Sequence, residues 1–297
     1  MFGITVRRHT PVRQPAVLKA RLDALVATMD ISTISPDPLE LVHRYTDPRD
    51  QEIAGLIAAA FAYGRADIIV RSGAWVLERM GPSPFAYLAS EFRSAEAMRR
   101  FAGFSHRFHK TGDLVALLHQ LASVIRGSCG TQRPWGVLGE LFRGHYRDAD
   151  PDIGPTLTRF VEALLHGSKE KSLRYLLTSP ADGSACKRMN LFLRWMVRRE
   201  WPDLGLWTFV DPAKLVIPLD THVHRISTFL GLNRRVSADW KTARALTDRL
   251  KVFDPADPVR YDFAICRLGV LDLCSRKRRK EQCDVCQLRD VCRFPLT

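Results

Sequence analysis

Nowhere in the 297 residues do eighteen apolar side chains run unbroken, which excludes a helical membrane span. The opening segment, MFGITVRRHTPVRQ, is basic, is followed closely by Pro15, and leads into no apolar stretch long enough for a secretory signal, so the expected compartment is the cytoplasm. Strand-like alternation is nearly absent, which argues against a sheet-based fold, and there is no internal repeat. Acidic residues are in deficit: 32 Asp and Glu against 45 Lys and Arg leave a formal net charge of +13. That surplus favours a polyanionic partner, because nucleic acid releases counterions when Lys and Arg neutralise its phosphates. Membranes and ribosomes attract basic proteins too, so charge alone does not choose between them.

What the sequence does contain is helical periodicity over an apolar content of 46%, enough for a substantial core. Leu18, Leu22, Leu25 and Met29 recur at helical spacing. Residues 49–80 read as two helices broken near Tyr63-Gly64-Arg65. Further helices are expected over 113–127, 135–146, 154–166, 187–199, 221–231, 238–253 and 258–272. The segment Trp201 to Pro218 holds three prolines and two tryptophans without a helical period, and reads as an ordered linker between two helical lobes. The expected fold class is all-α.

Four of the seven cysteines crowd into the C-terminal C-x8-C-x2-C-x5-C pattern of Cys274, Cys283, Cys286 and Cys292. In a reducing compartment such crowding points to metal or redox chemistry. Structural zinc usually joins two CxxC knuckles, whereas here one knuckle is flanked by two lone cysteines; four separate thiolates suit the corners of a [4Fe-4S] cluster, with zinc the alternative. Cys129, Cys186 and Cys266 fall outside the pattern and read as small buried hydrophobes. Between the first two cysteines lies a run of five basic residues, Arg276, Lys277, Arg278, Arg279 and Lys280. It is either a solvated loop or, with both ends anchored by a cluster, a fixed phosphate-binding prong.

Upstream stands IPLDTHVHRISTFLGL, in which Thr221 opens an amphipathic helix that ends at Gly231. By itself Asp220 reads as its N-cap. His222 and His224, two apart, face different ways and make no metal pair, and Tyr261 and Asp262 read as a helix cap rather than a second acid.

The segment LDTHVHRIS resembles the V-D-T-H-V-x-R-V signature of the helix-hairpin-helix DNA glycosylases, the endonuclease III superfamily. YDFAICRLGVLDLC and the three cysteines after it resemble the end of endonuclease III, whose C-x6-C-x2-C-x5-C loop has a first gap two residues shorter. Lyase-competent members place a lysine at the start of the helix after the hairpin, and SPADGSACKRMNLFLRWMVR is similar there, with Lys187 at that position. The familiar L-P-G-V-G-x-x-T-A hairpin is reduced to Gly183 between Asp182 and Ser184. Lys187 and Asp220 also lie 33 positions apart, a long connection shared with archaeal 8-oxoguanine glycosylases, which lack the cluster. Over residues 40–297 the chain most resembles a bacterial family of uncharacterised function related to both.

The resemblance implies a helical barrel lobe at 50–205 ending in the hairpin, and a discontinuous lobe of 1–49 and 206–297 carrying the cluster. It implies a monomer acting on double-stranded DNA in the nucleoid, excising a damaged base, with 8-oxoguanine the leading substrate. Lys187 would attack the sugar, assisted by cationic neighbours such as Arg188, while Asp220 stabilises positive charge on the ring. Gly183, Ser184 and Arg188 would contact phosphates, and Tyr63 and Arg65 would fill the gap left by the everted nucleotide. A noncatalytic iron-sulfur protein that binds or senses damaged DNA is the alternative.

Overall fold

A computed structural model describes residues 15–28, 34–127, 136–277 and 279–293. Met29, Cys129 and Arg278 therefore lie outside the described residues. The chain is mostly helical, as its periodicity predicts. The first half comprises α1 (Pro15–Thr28), α2 (Leu39–Val42), α3 (Pro48–Ala60), α4 (Ala66–Met80), α5 (Pro84–Ala86), α6 (Ser94–Arg100) and α7 (Thr111–Gly127). The second half comprises α8 (Val137–His145), α9 (Gly154–Leu164), α10 (Lys171–Leu176), α11 (Lys187–Val197), α12 (Thr221–Phe229), α13 (Trp240–Lys251), α14 (Asp262–Val270) and α15 (Lys280–Asp284). A two-stranded hairpin, β1 (Ser105–His106) and β2 (His109–Lys110), interrupts the series between α6 and α7.

The centre of the molecule is α3 packed on α11. Asp47 starts α3 by accepting the Arg49 N–H at 2.8 Å, with Pro48 at the first helical position. From there Ile53 to Ala60 is buried without interruption, so the helix is apolar all round and covered on every side. Gly55 permits the close approach: a Cβ there would stand 3.0 Å from Met196 Cε on α11. Residues Arg188 to Val197 of α11 are likewise buried.

One polar side chain inside α3 has an architectural task. Glu52, 1% exposed, accepts the Leu138 N–H at 2.8 Å and the Gly139 N–H at 3.0 Å, and so caps α8 from another helix. The Trp207 indole donates to the same carboxylate at 2.7 Å, which ties the 201–218 linker to the core. Burial pushes the Glu52 carboxyl up to about 7, against the pull of these N–H donors.

The N-terminal helix packs on the C-terminal segments. Arg21 pairs with Asp290 at 2.7 Å, and the Tyr261 hydroxyl donates to Asp23 at 2.9 Å. The apolar core nevertheless runs continuously from Leu18 to Leu288. Among the described residues no helix is long and apolar enough to cross a membrane.

Candidate active site

Lys187 is the first residue of α11, and the turn before it is tightly built. Pro180–Asp182 form one turn of 3-10 helix, and Gly183 follows at φ 72°, a left-handed conformation that glycine adopts without a Cβ penalty. Cys186, at φ 50°, is also left-handed, and its backbone N–H is held by the Ser184 hydroxyl at 3.1 Å. The turn leans on the start of α13 through the Trp240 N–H, which donates to the Gly183 carbonyl at 3.2 Å. Gly183 is exposed, but its own N–H donates to the Pro180 carbonyl at 3.0 Å. Lys187 emerges partly exposed, its ammonium donating to the Ala62 carbonyl at 2.9 Å.

Asp220 is the N-cap of α12. One carboxylate oxygen accepts the Val223 N–H at 2.7 Å, and the other accepts the Cys266 thiol at 3.4 Å. Burial is the main cause that keeps the Cys266 thiol protonated, and the negative charges of Asp220 and Asp262 add to it. It is therefore a donor toward Asp220, only partly buried, rather than the small buried hydrophobe the sequence suggests.

Lys187 and Asp220 come from different helices, yet the charges of both reach the same three groups: Cys266, Asp262 and His222. His222 is half-buried over Gly269, where an added Cβ would collide with its ring, and burial holds its imidazole below the usual value. Asp220 opposes that shift, while Arg225, Arg276 and Lys187 reinforce it. Sequence reasoning leaves His222 without a role because its signal, convergence of four charged residues, exists only in three dimensions.

Several expected site residues stand elsewhere. Arg188 is 7% exposed and points inward: its guanidinium donates to the Tyr175 carbonyl and to the Ala60 carbonyl at 3.3 Å, and lies 4.4 Å over the Tyr175 ring. Burial removes it from any phosphate, so the expectation for Arg188 is corrected to a structural one. Tyr63 is half-buried, with its hydroxyl hydrogen-bonded to His109 Nδ1 and, at 3.2 Å, to the His106 carbonyl. Its phenol is thus committed to the fold. Asp262 is not a simple cap but a buried partner of Arg194 at 2.5 Å; burial raises its carboxyl, against the pull of the Arg194 guanidinium. Arg65 is exposed and paired with Asp67 at 3.0 Å.

The four C-terminal cysteines, Cys274, Cys283, Cys286 and Cys292, line one cavity of about 60 Å³ together with Lys277 and Arg279. Burial raises the Cys274 thiol's pKa, and the charges of the other three cysteines raise it further. Among the described residues no three His, Cys, Asp or Glu side chains are grouped as a ready-made site for one metal ion. Arg276, Lys277, Arg279 and Lys280 are all exposed. The Arg225 guanidinium donates to the Cys274 carbonyl at 2.6 Å, linking α12 to the cysteine segment. A larger cavity, about 510 Å³, lies between α1, α14 and α15; its walls are chiefly apolar and include neither Lys187 nor Asp220.

The described residues form a mostly helical protein in which Lys187 opens α11, Asp220 caps α12, and Arg225 ties α12 to the cysteine-rich segment. The chain belongs to the family described as protein of unknown function (DUF2400), whose model matches residues 37–271. No curated protein and no solved structure matches it.

Proposed function

We propose that this protein is a DNA glycosylase with AP-lyase activity, acting on an oxidised purine such as 8-oxoguanine in double-stranded DNA. The observation that carries the reading is the placement of Lys187 at the first position of α11 and of Asp220 at the N-cap of α12, where Cys266 donates to it at 3.4 Å, with the charges of both acting on Cys266, Asp262 and His222. The resemblance of LDTHVHRIS and of the cysteine spacing to the helix-hairpin-helix glycosylases supports it.

In this mechanism the Lys187 amine, once it has given up a proton, attacks C1′ of the everted nucleotide. A C–N bond forms while the glycosidic bond breaks, and its electron pair leaves with the base, which takes up a proton. The Asp220 carboxylate, held by a helix N-terminus, stabilises the positive charge that builds on the sugar. The adduct nitrogen then loses a proton and the C1′–O4′ bond breaks, its electron pair going to O4′, which takes up a proton; from the resulting open-chain Schiff base, removal of a C2′ proton expels the 3′ phosphate. Cys274, Cys283, Cys286 and Cys292, gathered around one cavity, would hold a [4Fe-4S] cluster. When bound, the cluster would crosslink the segment and present Arg276 to Lys280 to phosphates.

Borohydride trapping tests the reading. A covalent adduct with a duplex carrying 8-oxoguanine, absent in Lys187→Gln, is expected; Asp220→Asn should lose excision and keep binding. No excision and no adduct on any of a panel of single lesions overturns it. A noncatalytic DNA-binding role is favoured by one observation: both groups already have partners in the fold, Lys187 with Ala62 and Asp220 with Val223 and Cys266.

A further inference from the structure

The β1–β2 hairpin carries no strong sequence signal, yet it is fixed firmly. Ser105 pairs with Lys110 and His106 with His109, which leaves Arg107 and Phe108 as a two-residue tip. Two strands alone are marginal in water. Here both root histidines are buried, at 1% and 2% exposure. His106 bonds Ser72 Oγ and the Tyr63 carbonyl, each at 3.0 Å, and His109 bonds the Tyr63 hydroxyl. Arg107 takes φ 55°, a left-handed conformation that a side chain adopts only where the surroundings impose it.

The result is an aromatic ring held outward. Phe108 is 57% exposed, while its inner side stacks on Tyr63, with centroids 5.6 Å apart, and meets Tyr175 edge-on at 4.9 Å. Single exposed apolar residues are common and by themselves mean little. This one is immobilised by three aromatic contacts, shares the hairpin with the exposed cations Arg107 and Lys110, and is connected to the candidate nucleophile. Tyr63 beneath it follows Ala62, whose carbonyl accepts the Lys187 ammonium at 2.9 Å.

We infer that Phe108 is the wedge that enters the base stack when a nucleotide is everted toward Lys187. The inference rests on the excision reading above. A departing base leaves a gap between its neighbours, and a ring stacks on whatever base borders the gap because every base has a π-face. The ligand class is duplex DNA unstacked at one nucleotide, with Arg107 and Lys110 facing the phosphates on either side.

The test uses the full-length protein and two duplexes, one with 2-aminopurine as the target base and one with a tetrahydrofuran abasic analogue. The wild type should raise 2-aminopurine fluorescence on binding and prefer the abasic duplex to an intact one. Phe108→Ala should lose the fluorescence rise and weaken abasic binding by roughly five- to a hundredfold, as loss of one stacked ring does, with intact-duplex affinity unchanged. Phe108→Trp should restore both, which separates stacking from a folding defect. Unaltered fluorescence and affinity in Phe108→Ala, or no wild-type fluorescence response, overturns the wedge assignment. Excision is scored separately with Lys187→Gln and Asp220→Asn: its absence in the wild type with the Phe108-dependent response intact sinks the glycosylase reading and leaves the stacking residue standing.

Discussion

The four described residues of the five-residue basic run form two chemically different pairs, and salt dependence should tell them apart. Arg276 and Lys277 are exposed and make no ion pair among the described residues. Arg279 lies 3.0 Å from Asp272, and Lys280 lies 2.5 Å from Asp284. A cation that already has a carboxylate partner adds less net charge at the phosphate it meets. Each neutralised phosphate contributes about 0.9 to the slope of log K against log salt, so Arg276→Gln/Lys277→Gln should flatten that slope by about 1.8. Between about 50 and about 200 mM KCl, a fourfold change in salt, the variant's deficit relative to wild type should therefore shrink roughly twelvefold. Arg279→Gln/Lys280→Gln should flatten the slope by less than about 1. Fluorescence anisotropy with a labelled duplex over that range measures both. A larger effect from the second pair, or no effect from either, refutes the idea that the run is a phosphate-binding prong.

Three further outcomes are expected. Burial lifts the folded Glu52 carboxyl from 4.5 to about 7, so the folded state binds the proton more tightly; this contribution is full below about pH 4.5 and falls by about 3 kcal/mol as pH rises through 7. Melts of wild type and Glu52→Gln across that window isolate the effect, and a wild-type advantage that grows with pH would show that the N–H donors outweigh burial. Gly136→Ala should destabilise by about 1–3 kcal/mol in denaturant titrations, because the added Cβ falls inside the Glu52 carboxylate, and an unchanged midpoint would contradict the cap. Protein purified without oxygen should absorb near about 400 nm, and Cys283→Ser should abolish the band; a colourless protein that binds zinc instead would refute the iron-sulfur assignment.

The long helices were legible because their apolar residues repeat at helical spacing. The expected 187–199, 221–231 and 238–253 contain the observed α11, α12 and α13, with α12 starting as expected after its N-cap Asp220, α13 shortened by the N-cap Asp239, and α11 ended by the extended chain after Val197. Two-residue strands carry too few positions for any alternation to show, so the 105–110 hairpin was invisible. Side-chain direction was equally hidden. Arg188 looks in sequence like a cation beside Lys187, but successive residues on a helix face different ways, and an aromatic pocket of Tyr63 and Tyr175 took it inward. The same pocket claimed Tyr63 and left Phe108 as the exposed ring.

What sets the separation of Lys187 from Asp220 is a buried polar network that no local pattern announces. Arg194, on the same helix as Lys187, reaches Asp203 in the linker at 3.1 Å and Asp262 at the start of α14 at 2.5 Å. Arg198, just past that helix, meets Asp203 at 2.5 Å and Asp257 at 2.8 Å. Helix α14 in turn packs along α12, and its Cys266 donates to Asp220. Each end of the 33-residue connection is therefore referenced to α14, one through guanidinium–carboxylate pairs and the other through a thiol. Removing one member of a buried pair strands a charge and costs about 3–5 kcal/mol, more than an exposed ion pair contributes. Such a network can be retained for geometry rather than for net stability, and here the geometry it holds is the placement of the α11 and α12 N-termini relative to α14.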